Sequence, residues 1–355
     1  IVKGTYPDGT PYELRNPTYK IRDLSYGPFV NNIHFSARIA PQAFGVGLLG
    51  AIPQENLLKL VDENDRDDDG ISGRASMVKD VFTGDMVIGR FAYKAQNPTV
   101  LQQVAGAYNG DMGVSTSVFS AEPCTENQLA CLLAAELESK VGEVVDLGDH
   151  SLALVEFYNR VLAVPVRRGF DRDTQVWNED VTKGRTLFFS SNCIGCHTPR
   201  HVTGEAAGSV LGEITLAGLT EQAEPVSVLS NQTIFPYTDL LLHDMGGSCE
   251  VTRETAEGLS CKAGAECLYV QRCEGLADGV IQGDASGAEW KTPALWGIGL
   301  VQTVNVNSTF LHDGRARTIE EAILWHGGEA EQSKNAFMSL NATEREQLLL
   351  FVQSL

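Results

Sequence analysis

The pentapeptide Cys193-Ile194-Gly195-Cys196-His197 constrains this chain more than any other feature of its sequence. Two thiols at this spacing can each add to one of the two vinyl groups of a haem, and the adjacent histidine then lies beneath the iron. Cys-x-x-Cys-His is the spacing of c-type attachment. A thioredoxin-like redox pair would sit between a strand and a helix of a βαβ unit, a pattern absent around GRTLFFSSNCIGCHTP. A structural zinc site would need a second closely spaced pair, and the remaining cysteines have at least five residues between neighbours. The motif therefore predicts one covalent haem c held by Cys193 and Cys196, with His197 as the proximal ligand. The occupant of the sixth iron position sets the redox potential and decides whether peroxide can enter. Candidates are His201, His243, Met245, His312 and His326; His201 is too close to the motif to reach over the ring, and the residues alone leave the other four open.

A chain of 355 residues is long enough for two domains, and 43% apolar residues suffice for ordinary cores. No run of about 18 apolar residues exists, so no helix is expected to span a membrane. The net charge of −19 and pI near 4.7 would repel a polyanion, which argues against nucleic acid as a partner. The same charge would steer a cationic redox protein towards the surface, or simply keep a secreted protein in solution. Of eight cysteines, two are assigned to the haem and six (Cys124, Cys131, Cys249, Cys261, Cys267 and Cys273) allow three disulfides. Haem c and disulfides together point to an oxidising compartment, the bacterial periplasm or cell exterior. The chain opens at Ile1 with no leader pattern, which suggests a removed signal or a larger missing leading segment.

Along the chain, residues 1–35 read as short strands and turns, and residues 36–61 as a helix pair around Ile52-Pro53. Helical spacing recurs over 127–141, with Asn127 as N-cap, and over 151–163, with Ser151 as cap and Pro165 as stop. The stretch VRRGFDRDTQVWNED reads as a linker, dividing the chain into 1–168 and 169–355. A helix from Val181 to Ser190 leads into the haem motif. Two closing helices start at Thr318 and near Asn341, each with a glutamate three residues on, as in a capping box.

The segments GLLGAIP, DDDGISGR, GRFAYKA, QQVAGAYNGDMG, CIGCHTP, PYTDLLLHDMG, EWKTPALWGIGL and FLHDGRARTIEEAILWHGGEA occur in this order over nearly the whole chain. In them the chain resembles the di-haem oxidoreductases of bacteria, relatives of the di-haem cytochrome c peroxidases and of the di-haem enzyme that matures methylamine dehydrogenase. The resemblance implies a mainly α fold of two cytochrome c-like domains with long loops and a few short strands. It also implies two c-type haems, an electron-entry haem in the C-terminal domain and a second, peroxide-handling haem in the N-terminal one. This chain has no second Cys-x-x-Cys-His, so the second motif is expected in a leading segment before Ile1. Counting along the family's pattern places His326 where the peroxidases have a methionine on the C-terminal iron, which implies a His197/His326 pair of low potential. Met245 and His243 are the alternatives. As a plain residue, His326 would end a helix where a cation is favourable.

The same resemblance puts Asp111 near the peroxidases' catalytic glutamate, with Asn109 beside it, where a carboxylate could carry a proton between peroxide oxygens. Read locally, Asn109-Gly110-Asp111 is an ordinary turn sequence. Tyr93 falls where those enzymes have a tryptophan between the haems and would relay electrons, or simply pack in a core. Asp65, Asp67 and Asp69 alternate ahead of Gly70 like the first half of a calcium loop, but the position of the closing glutamate holds Ser76. The alternatives are calcium, as in the related peroxidases, and a solvated acidic turn. His312 and Arg315 are expected at the haem edge, Arg315 pairing with a propionate. A cysteine-rich insertion over 247–275 is expected to hold two disulfides of open connectivity, with Cys124 and Cys131 forming a third bridge.

These expectations describe a periplasmic or secreted di-haem c oxidoreductase, peroxidase-like, reducing hydrogen peroxide or another oxidant with electrons from a small redox protein. An electron-transfer cytochrome without a substrate, and a haem enzyme oxidising a partner protein or organic compound, are the alternatives.

Overall fold

The computed structural model describes all residues except 30–31, 142–144, 212–213, 217–218, 222–225 and 263–266. The described residues form ten α-helices: α1 (Val46–Gly50), α2 (Gln54–Leu58), α3 (Val100–Met112), α4 (Leu129–Val141), α5 (Asp149–Val161), α6 (Glu179–Ser190), α7 (Val301–Val304), α8 (Ile319–Leu324), α9 (Glu331–Ser339) and α10 (Ala342–Ser354). Helix accounts for 29% and strand for 17% of the structure, which corrects the expected mainly α, cytochrome c-like architecture. The physical reason is punctuation. Thirty-five glycines and thirteen prolines cut the chain into short pieces, so four of the helices run six residues or fewer. Between them lie two-stranded antiparallel ladders and one three-stranded sheet.

That sheet joins distant parts of the sequence. Strand Cys249–Glu254 pairs with Leu268–Cys273, which pairs in turn with Thr18–Ile21. The insertion is thus a hairpin laid against the N-terminal strand. Its disulfides are Cys249–Cys273, at one end of the ladder, and Cys261–Cys267; Cys124–Cys131 is the third bridge.

Two cores organise the rest. One gathers Val181 and Phe188 of α6, Leu348, Phe351 and Val352 of α10, Tyr237, Leu324 and Phe337, and it also takes in Tyr6 and Leu14 from the N-terminal hairpin. Gly184 allows α6 and α10 to meet at backbone distance, since a Cβ there would strike the Gln347 carbonyl. Each large side chain buried here contributes about 2–3 kcal/mol. The second core joins Leu49, Ile52, Leu57, Ile88, Phe91 and Val100 to Ile234, Leu240, Leu241 and Trp296 from beyond residue 230. Arg90, buried and with its acidity increased to a pKa of about 10 by desolvation, donates to the carbonyls of Leu49, Gly50 and Ile52 and so satisfies the end of α1.

Helix starts follow the local chemistry. Asn341 and Glu344 form a complete capping box on α10. Thr318 caps α8 through the Glu321 amide, but the Glu321 carboxylate turns to Arg317 instead. Helix α5 starts at Asp149 with Gly148 as its N-cap, two residues before the serine expected to cap it.

Candidate functional site

Helix α6 delivers the cysteine motif. Its N-cap Asn178 accepts from the Asp180 and Val181 amides, and Glu179 and Asp180 lie in the first turn, where negative charge is favourable. After Ser191 the chain enters a left-handed residue, Asn192 (φ 55°), and a tight turn over Cys193–Gly195. A Cβ at Gly195 would meet Ile71 from the acidic loop, so the turn is packed from the other half of the chain. Cys193 and Cys196 are the two free cysteines. Burial pushes both thiols upward, Cys193 to about 12, so they stay protonated at neutral pH.

His197 directs Nδ1 at the Tyr237 carbonyl, 2.9 Å away. An Nδ1–H donor there leaves the Nε2 lone pair free, the arrangement of a metal-ligating imidazole oriented by its backbone. Burial lowers the pKa to about 4, and nearby His326 adds to the effect. His326, two residues past the end of α8, repeats the pattern, with Nδ1 bonded to the Ala322 carbonyl at 2.8 Å and its pKa lowered by burial. Two neutral imidazoles with open Nε2 atoms therefore accompany the two free thiols, a donor set that fits a c-type haem.

His243 is built differently. Its Nε2 lies 2.8 Å from Asp239 and its Nδ1 2.7 Å from Glu329, and Nδ1 is also 3.5 Å from the Cys196 sulfur. Burial opposes the charged form, but the hydrogen bonds to Asp239, Cys196 and Glu329 outweigh it and hold the imidazolium to well above its ordinary range. Glu329 further accepts from the Ser72 amide and hydroxyl and the Asp244 amide, tying the acidic loop to the haem motif. Met245 is half-buried and donates its amide to the Ala288 carbonyl.

Tyr93 and Asp111 line a second site, a cavity of about 620 Å³ walled by Phe44, Leu49, Val100, Val104 and Trp296. Asp111 reaches it from the C-terminal turn of α3 and is exposed. Asn109 is turned elsewhere, donating to the Ala121 carbonyl at 2.9 Å. Tyr93 meets Trp290 and His312 edge-on, with centroids 6.2 and 6.4 Å away, and burial raises its phenol to about 12. His312 stacks flat on Trp290 at 3.8 Å. Lys94 sits 4.0 Å over the same indole and pairs with Asp278 at 3.2 Å. Arg315 directs its fork at Asp313 and lies over Trp325.

Asp65, Asp67 and Asp69 each place a carboxylate oxygen within 4.8 Å of the others. Asp65 accepts from the Asp69 and Gly70 amides, and Asp69 also receives the Asn192 side chain at 3.3 Å.

Sequence reasoning missed three residues that shape these sites. Asp239 and Glu329 became visible only through their convergence on His243. Lys291, half-buried, is among the residues that line the cavity, and no residue pattern in EWKTP marks it.

No curated protein matches this chain. A solved structure, hydrazine synthase of Kuenenia stuttgartiensis, is similar at 14% identity over 98% of this chain and 100% of its own, with a TM-score of 0.31. The family described as "Di-haem oxidoreductase, putative peroxidase" matches residues 2–261 and 258–355, and the chain therefore belongs to the di-haem oxidoreductases.

Proposed function

We propose that this chain is a peroxidase-like di-haem c oxidoreductase in which electrons enter at the haem held by Cys193, Cys196 and His197. The observation that carries the reading is the pair of matched imidazoles. His197 and His326 each commit Nδ1 to a backbone carbonyl, at 2.9 and 2.8 Å, and keep Nε2 open. Such a pair would hold the iron of a low-potential haem. His243, with both ring nitrogens engaged by carboxylates, is the weaker candidate, and Met245 is the remaining one.

A second haem is proposed at the cavity beside Tyr93, whose lining is mostly apolar, takes in Arg90, Asp111 and Lys291, and holds no cysteine or histidine of its own to attach it. When bound, a haem supplies one-electron chemistry and an iron at which peroxide can be reduced. Asp111, exposed on the rim, is placed to hold a proton and pass it between peroxide oxygens. Tyr93 stands on the cavity wall and touches Trp290 and His312, which suits it to carry an electron from the first site. Asp65, Asp67 and Asp69 offer a calcium ion three carboxylates against the loop that packs on the haem motif. A cationic redox protein is the proposed donor, and the periplasm or cell exterior the proposed location, given the three disulfides.

The test is a count of haems per chain by reduced pyridine haemochrome on the full-length protein, followed by peroxide turnover with a reduced donor. Two haems and turnover are expected, with Asp111→Asn lowering turnover by about 10²-fold or more. Two haems that stay low-spin and bind neither peroxide nor cyanide would indicate an electron carrier instead.

A further inference from the structure

The strand that follows the haem motif and the strand it pairs with present two unlike faces. His201 stands opposite Ile234, and Val202 opposite Thr233. Side chains alternate across a ladder, so His201 and Ile234 share the inner face and are buried. Continuing the alternation by one residue, Arg200, Val202, Thr233 and Phe235 share the outer face, and all four are exposed. Val202 is 43% and Phe235 54% exposed. Val228, 67% exposed, lies on the adjoining turn, whose Leu229 carbonyl accepts from the Thr203 hydroxyl at 2.7 Å. The run VSVLSNQTIFPYT, residues 226–238, holds no charged residue, although 21% of the chain is charged. Of the four outer-face residues, Arg200 alone carries a charge.

An apolar, charge-poor patch on so acidic a molecule suits the centre of a protein–protein contact, where a charge would have to be stripped of water. Its position relative to the haem motif says which contact. Phe235 precedes Pro236 and Tyr237, and the Tyr237 carbonyl accepts from His197 Nδ1 at 2.9 Å. The Thr238 amide donates to the Thr198 carbonyl at 3.0 Å, and the Thr238 carbonyl accepts from His201 Nε2 at 2.7 Å, fastening this run to the haem motif. The outer face therefore lies two residues and one hydrogen bond from the proximal histidine.

We propose that this face is the docking surface of the electron donor, a cationic redox protein drawn in by the net charge of −19 and seated through its own apolar patch on Val202, Phe235 and Val228. The inference rests on reading the haem at Cys193 and Cys196 as the electron-entry site. One electron passes at each docking: the donor is oxidised by one, the haem is reduced by one, and no bond or proton moves. Charge acts over the whole surface to bring the partners together, and the apolar contact sets how long they stay. Arg200 opposes a cationic partner at the edge of the contact and keeps the complex short-lived, as turnover requires.

The experiment uses the full-length, haem-loaded protein. Stopped flow at low salt measures the second-order rate of its reduction by a reduced, cationic c-type cytochrome of lower midpoint potential. A neutral small-molecule reductant is the control, and haem content and midpoint potentials are measured for every variant. Phe235→Ser is expected to slow reduction by the cytochrome about tenfold, the loss of one well-placed apolar anchor. Arg200→Glu is expected to speed it by about threefold or more, since an opposing charge at the rim becomes an attracting one. Neither substitution should change reduction by the small molecule. Wild-type rates with the cytochrome in either variant would overturn the docking surface while leaving the electron-entry reading intact. A Phe235→Ser protein with altered haem content, midpoint potential or small-molecule rate would overturn it too, because Phe235 would then be packing against the haem. A wild-type C-terminal haem that the small molecule reduces and the cytochrome does not would remove entry from a cationic donor, and the docking surface with it.

Discussion

His312 and His243 titrate in opposite senses because one is stacked and the other ion-paired. The His312 ring lies against Trp290 in a nearly dry site, and burial lowers its pKa from 6.5 to about 4, only partly opposed by Asp313. Above pH 6.5 both folded and unfolded chains hold it neutral. As pH falls from 6.5 towards 4 the unfolded chain takes up a proton that the folded one refuses, so stability is lost, by up to about 3 kcal/mol. His312→Phe, which keeps a flat ring on Trp290, should flatten the acid limb of a urea-unfolding series measured from pH 7 to 4. An unchanged limb would place the acid sensitivity elsewhere. His243 works in the other direction, its charge being stabilised by Asp239 and Glu329. Its contribution is complete below pH 6.5 and is lost as pH rises through its elevated folded value. The proposed iron ligand is tested at the same scale. His326→Met should raise the midpoint potential of the C-terminal haem, because a thioether stabilises ferric iron less than an imidazole does. If potential and spectrum stay at wild-type values, the sixth ligand is another residue.

At the level of elements, the insertion and the helix pair α6/α10 show where local signals suffice and where they stop. The Asn178 cap of α6, three residues before the start expected at Val181, emerged only in the structure, whereas the Asn341 cap of α10 is legible because it satisfies its own first turn within three residues. Cysteine connectivity is not, since four cysteines allow three pairings. The ladder decided it by setting Cys249 opposite Cys273. This bridge closes a 24-residue separation, and in the chain-entropy account it restrains the unfolded state by about 3 kcal/mol. Cys249→Ala/Cys273→Ala should lower the unfolding free energy by roughly that amount in urea titrations, while leaving the haem count unchanged. A variant as stable as wild type would show that pairing with Thr18–Ile21 alone holds the hairpin.

For the whole molecule, the charge of −19 is the property most open to experiment. A field of that size steers a cationic donor and is screened once the Debye length falls to about 3 Å near 1 M salt. Reduction by a cationic cytochrome should slow by about tenfold or more between 10 mM and 500 mM salt, in stopped-flow traces, while a neutral small-molecule reductant should be insensitive. Equal salt dependence for both donors would remove the electrostatic docking argument. The two cores are likewise a whole-molecule property. Tyr6 and Leu14 complete the core around α6 and α10, while Leu240, Leu241 and Trp296 complete the one around Leu49 and Ile88.

By itself the sequence determined the Cys-x-x-Cys-His motif, the family, the division of the eight cysteines into two free and six bridged, and the starts of α8 and α10. Each of these is written in contiguous residues, whose spacing fixes covalent reach or the hydrogen bonds of a single turn. The sequence did not determine the balance of helix and strand, because that depends on how strongly glycine and proline interrupt helices that propensity alone would favour. Nor did it reveal Asp239 and Glu329 on either side of His243. Those arrangements arise where segments far apart in the chain are buried together, and the cost of leaving a charge unpaired is set only by what the tertiary structure places around it.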